Sequence, residues 1–157
     1  MKTMNPMIKL SFFAIAASMF VACGPSKAEI DEKAAKDAIA SGKAPDTTYY
    51  NLGFAKCNTE DYQGAITNFT KVIELNPKYE WAYILRGRSK YALNDYQAAL
   101  PDFSKVIELD SKYPIAYFDR ANCKDKLGDK TGACEDWKKA DELGFAPAKN
   151  ALSQSCK

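Results

Sequence analysis

Five cysteines, a pair of aspartates and no histidine bound the chemistry open to this 157-residue chain. Without histidine, the commonest general base and the commonest metal ligand are missing together. Asp119 and Asp125 would share one helix face and could be proposed as paired carboxylates for acid–base work. A solvated helix surface accounts for them more simply. No HExxH, GxSxG, Walker loop or GxGxxG pattern occurs. The nearest cysteine pair, Cys123 and Cys134, is too widely spaced for a CxxC redox motif, and no spacing suits zinc. These residues argue against an enzyme and against a cofactor.

Cys23 has the most distinctive setting of the five. Lys2 and Lys9 precede an apolar run of 13 residues, Leu10 to Ala22. A membrane-spanning helix needs about 18 or more apolar residues, so the run suits the core of a secretory signal instead. It closes on Phe20-Val21-Ala22-Cys23-Gly24, which resembles a bacterial lipoprotein signal, with Phe20 in place of the usual leucine. The resemblance implies cleavage after Ala22 and acylation of Cys23. Each buried lipid CH₂ contributes about 0.8 kcal/mol, so several chains make a stable anchor. A plain signal peptide, leaving Cys23 as an ordinary thiol, is the alternative. Gly24 follows the cysteine where aspartate retains such proteins in the inner membrane of enteric bacteria. The expected location is therefore the periplasmic side of a membrane, the outer one.

Beyond residue 22 the chain carries 20 basic and 20 acidic residues. That balance gives no bulk excess of positive charge to neutralise phosphates, so nucleic acid is not the expected partner. The 135 residues that remain suit one domain plus a tail.

What must position these residues is a repeat. Shifted by 34 positions, Asp61–Tyr83 (DYQGAITNFTKVIELNPKYEWAY) overlays Asp95–Tyr117 (DYQAALPDFSKVIELDSKYPIAY) with 14 of 23 positions identical. Asp129, Ala133, Trp137, Lys139, Glu142 and Leu143 continue the register as a third copy. A period of this length points to a helical solenoid. Phe69, Val72 and Ile73, like Phe103, Val106 and Ile107, fall at helical spacing on one buried face. Asp61, Asp95 and Asp129 stand where each would cap a second helix. Gly53 and Gly87 are expected opposite Ala65 and Ala99, letting paired helices approach closely. Pro101 falls inside a helix and predicts a local kink.

Tyr49-x₂-Leu52-Gly53-x₂-Lys56, Ala65-x₃-Phe69 and Pro77 resemble the tetratricopeptide repeat. A second unit follows with Tyr83, Gly87, Ala99 and Phe103, but with Arg86 for leucine and Ser111 for proline. A third carries Tyr117, Ala121 for glycine, Ala133 and Trp137. The resemblance covers about Asp46–Phe145 and implies an all-α superhelix of three helix pairs. The expected divisions are a signal peptide (1–22), a lipidated spacer (23–45), repeats at 46–79, 80–113 and 114–145, and a capping helix (146–157). Gly144 is expected to end the last paired helix. Ala148, Ala151 and Leu152 would then face inward from the cap.

The same resemblance implies a protein-binding concave surface lined by the first helix of each unit. Its register assigns Tyr50, Phe54 and Cys57 from the first unit. It assigns Trp81, Ile84, Leu85, Arg88 and Tyr91 from the second, and Ile115, Phe118, Asp119, Asn122 and Asp125 from the third. The family's carboxylate clamp uses Lys, Asn and Arg. Here its positions hold Tyr50, Phe54, Leu85, Ile115 and Asp119, so the resemblance does not extend to that clamp. An apolar segment of a partner protein is the expected ligand. A structural accessory subunit of a cell-envelope assembly, with no peptide ligand, is the competing reading. A third reading has the Ala-rich stretch Lys27–Ser41 fold back and fill the groove with Ile30 and Ile39; otherwise that stretch is a spacer helix.

Export would place Cys57, Cys123, Cys134 and Cys156 in an oxidising compartment. In the repeat layout Cys134 begins the last paired helix and Cys156 ends the antiparallel cap, making them the preferred pair. Cys123–Cys134 is the alternative pairing. Four unpaired, buried thiols are the third.

Overall fold

A computed structural model describes residues 46–156. The apolar leader, Cys23 and the 27–41 stretch lie outside the described residues. Seven helices follow one another among the described residues: α1 (Asp46–Asn58), α2 (Tyr62–Leu75), α3 (Glu80–Ala92), α4 (Tyr96–Leu109), α5 (Pro114–Lys126), α6 (Lys130–Glu142) and α7 (Ala146–Ser155). Each packs on the next, giving an all-α stack of three pairs closed by α7. No helix among the described residues is long and apolar enough to cross a membrane.

The turns inside the pairs repeat as faithfully as the helices. Each first helix ends with two bonds, such as Asp95 N–H to Lys90 C=O and Asn94 N–H to Tyr91 C=O. Gly128 and Asp129 make the same two bonds, as do Glu60 and Asp61. This double bond closes a helix through a residue in the left-handed region. That residue is Glu60, Asn94 and Gly128 in turn, with φ of 60°, 63° and 88°. Gly144 does the same at the end of α6, with φ 87°. Glycine and asparagine accept this geometry readily, whereas at Glu60 it costs about 1 kcal/mol.

The residue after each of the three turns starts the next helix. Asp61, Asp95 and Asp129 accept from the N–H of Gly64, Ala98 and Gly132 at 2.9, 3.2 and 2.9 Å. Each such cap contributes about 1 kcal/mol. The longest of the three bonds falls where the third position is Ala98; a Cβ at Gly64 or Gly132 would press on the capping carboxylate. The Gly64 N–H, helped by Lys56 at 3.0 Å, holds the Asp61 carboxyl below its usual range.

Phe69, Phe103 and Trp137 form the spine, at most 3% exposed, with Ala65, Ala99 and Ala133 fully buried one turn earlier. The close approach expected at Gly53 and Gly87 is present. A Cβ there would meet the Phe69 and Phe103 rings at 2.9 and 2.8 Å, so the glycines make room for the spine aromatics. Pro101 sits on the exposed side of α4, which runs unbroken through it for 14 residues, the same length as α2.

Candidate partner-binding face

First helices also touch each other, α1 on α3 and α3 on α5, while contact between successive second helices is weaker or absent. The stack therefore curves with α1, α3 and α5 on its inner side. The thirteen residues assigned to a groove divide into three groups there.

Ile84 and Leu85 are not groove residues. They are 0% and 2% exposed and belong to the cores between the pairs: Ile84 packs with Phe103 and Val106, Leu85 with Ala65 and Phe69. The second unit has neighbours on both sides, and the unit closing over it covers this part of α3. Phe54 and Cys57 are half-buried against the Leu85 cluster, and Ile115 against the Ile84 cluster.

A second group consists of polar residues that satisfy one another. Arg88 Nε donates to Asp119 at 2.7 Å, joining α3 to α5. Asp119 is buried and charge-paired, which corrects its assignment to a solvated surface; burial raises its carboxyl pKa and Arg88 opposes the rise. Asn122 accepts from Trp137 Nε1 at 3.1 Å, and Asp125 pairs with Lys130. Arg88–Asp119 thus ties the second unit to the third, while the other two pairs close the third unit on itself.

The third group is aromatic. Tyr50 lies 5.4 Å from Tyr79 and edge-on to Phe69 at 6.1 Å. Trp81 is 39% exposed and meets Tyr113 edge-on at 6.1 Å. Tyr91 packs on Tyr96 at 4.9 Å, and burial pushes its phenol up to about 12. Phe118 packs on Phe145 at 5.1 Å. Such edge and tilted contacts favour ring pairs beyond their area alone. Tyr79 and Tyr113, absent from the sequence assignment, precede α3 and α5 as N-cap residues. Their signal was the Lys-Tyr doublet recurring at 78–79 and 112–113.

A second set of interactions lies inside the stack. Arg86 Nε donates to Asp102 at 3.1 Å, Lys90 Nζ lies 2.8 Å from the same carboxylate, and Arg86 Nη1 reaches Thr70 at 3.2 Å. Arg120 repeats this with Asp136 and Ser104, and Lys124 with Asp136. Each guanidinium also lies 5.6 Å from a tyrosine ring, Tyr83 or Tyr117. Arg120 donates to the Asp136 carboxylate, and that hydrogen bond raises the guanidinium's pKa.

The disulfide joins Cys134 to Cys156, with Cα atoms 5.8 Å apart. Cys123, the alternative partner, is a buried thiol that burial pushes up to about 12, and the half-buried Cys57 thiol lies 3.5 Å from Ser89 Oγ.

Comparison with known proteins agrees with this geometry. Residues 47–79 and 82–113 match family models of the tetratricopeptide repeat, so the chain carries such repeats. No curated protein sequence matches the chain. Among solved structures, the fold resembles YrrB, a TPR protein with an unusual peptide-binding site (21% identity, TM-score 0.70, 76% of this chain and 62% of that one). It also resembles PcrH of Pseudomonas aeruginosa in complex with the chaperone-binding region of PopD (23%, TM-score 0.65, 75% and 90%). A third is the Yersinia enterocolitica type III secretion translocator chaperone SycD (21%, TM-score 0.66, 74% and 95%). At these identities the likeness is one of fold.

Proposed function

We propose that this chain is a protein–protein interaction module whose inner face takes an apolar segment of a partner, and that a lipid on Cys23 anchors it on the periplasmic side of the outer membrane. The observation carrying the binding reading is Trp81. It is a large apolar side chain left substantially exposed on the curved side and seated against Tyr113, while Arg88, further along the same helix, is already paired with Asp119. An aromatic seat of this kind suits an apolar anchor better than a charged peptide end. Relatives in fold that hold partner segments or peptides support the general class.

Trp81→Ala tests it. Affinity capture from native membranes with the wild-type chain should recover a partner, and the variant should bind it about thirtyfold more weakly, as expected for a hot-spot residue worth about 2 kcal/mol. Helical CD should be unchanged. Equal binding by both proteins would remove the inner face from the reading and favour a structural accessory subunit.

The anchor is tested separately. Cys23→Ser should move the expressed protein from the membrane to the soluble fraction and abolish incorporation of labelled palmitate. Membrane retention of the variant with no label in the wild type would point to an uncleaved or unlipidated signal.

A further inference from the structure

The last helix is the least self-sufficient element of the stack. It has ten residues, below the length at which an isolated helix holds its shape in water. It packs chiefly on α6, and Ala148 is its only fully buried side chain. Ala151 and Leu152 rest half-buried on the Ala121–Ala133–Trp137 cluster. Its N-cap residue, Phe145, supplies no side-chain cap. A short, uncapped helix with so little buried surface is an element expected to open locally before the rest of a solenoid.

Its far end is nonetheless covalently fixed. Cys156, just beyond α7, is bonded to Cys134 near the start of α6, closing a loop over 22 positions. The bond is also reachable. Both cysteines line an open cleft of about 530 Å³ between α6 and α7, together with Lys130, Lys138 and Leu152. Glu135 lines the same cleft and Lys130 is paired with Asp125, so reach of a reductant rests on the cleft being open and not on its charge. Cys123 is no competitor in exchange, being buried on α5.

We infer that Cys134–Cys156 is a redox latch: with the disulfide formed α7 closes the end of the stack, and with it reduced α7 undocks and uncovers the apolar surface around Trp137 and Phe118. The reaction is ordinary exchange with a dithiol reductant. One reductant thiolate attacks a sulfur of the bond, forms a mixed disulfide and releases the other cysteine as thiolate. The second reductant thiol then resolves the mixed disulfide and leaves as a cyclic disulfide, so the protein gains two electrons and two protons.

Amide hydrogen exchange on the full chain, disulfide-bonded and after treatment with dithiothreitol, tests this. Reduction should speed exchange across α7 on the order of a hundredfold, because the closed loop no longer limits opening. Amides of α3 and α4 should change by less than about twofold, since opening is local in a repeat array. A Cys134→Ser, Cys156→Ser variant should exchange at the reduced rate with or without dithiothreitol. Tryptic cleavage after Lys149, in α7, should appear in the same samples. Unchanged α7 exchange on reduction would overturn the latch and show that packing alone holds the helix. Loss of protection spread evenly over all seven helices would overturn it too, making the disulfide a staple of the whole domain.

Discussion

Truncating Phe103 to alanine is expected to cost about 3–5 kcal/mol, the range for removing a buried aromatic ring without collapse of the space. The ring is 1% exposed and lies against Gly87, which has no side chain to swing into the void. Collapse would require α3 and α4 themselves to move, and each is also packed on a neighbouring pair, α3 on α2 and α4 on α5. Because a solenoid couples its units only through such contacts, damage to the middle pair also weakens both interfaces. Urea unfolding followed by helical CD should show a lowered midpoint and, with the array divided, a broader transition. A loss below about 1 kcal/mol would mean that the pair closes over the gap after all.

Asp102→Ala should rank next, at about 3 kcal/mol, the lower end for breaking a buried ion pair. The carboxylate side chain is 3% exposed and holds two cations, Arg86 and Lys90. Removing it strands both charges, although each keeps some access to water, which moderates the cost. The chain carries its own neutral version of this site. In the first unit Leu52 stands where Arg86 does, and Asn68 where Asp102 does. Combining Asp102→Asn with Arg86→Leu should therefore recover stability to within about 1 kcal/mol of wild type, since an apolar replacement of a buried pair is often neutral. The same urea experiment reads both variants. If the double variant is as weak as Asp102→Ala, the pair contributes something an apolar contact does not supply.

The parts of the structure legible in the sequence are those set by neighbours along the chain. Asp61, Asp95 and Asp129 bond three residues ahead, and the spine at 69, 103 and 137 follows from one helical face repeated every 34 residues. The Cys134–Cys156 pairing followed once α6 and α7 were laid antiparallel. What escaped was set by how tightly one unit closes on the next, which periodicity does not encode. Ile84 and Leu85 carry the register of an open face but are covered. Asp119 meets Arg88 across a separation of 31, which is out of phase with the repeat and so leaves no trace in a shifted alignment. Arg86 did stand out, but only as a departure from a leucine; its recurrence as Arg120, with Asp102 recurring as Asp136, was the visible sign of a charge pair.

Each guanidinium of that series also reaches one unit backward, Arg86 to Thr70 and Arg120 to Ser104. The middle unit thus carries a plug and a socket that fit one another. A chain enlarged by copying residues 80–113 in place would join copy to original through Arg86 and Ser104 by the bond already used twice. The edges lack that fit: the socket position after Ser104 is Lys138, and the plug position before Arg86 is Leu52. The middle unit is therefore the one whose copy would find both halves of the bond already in place.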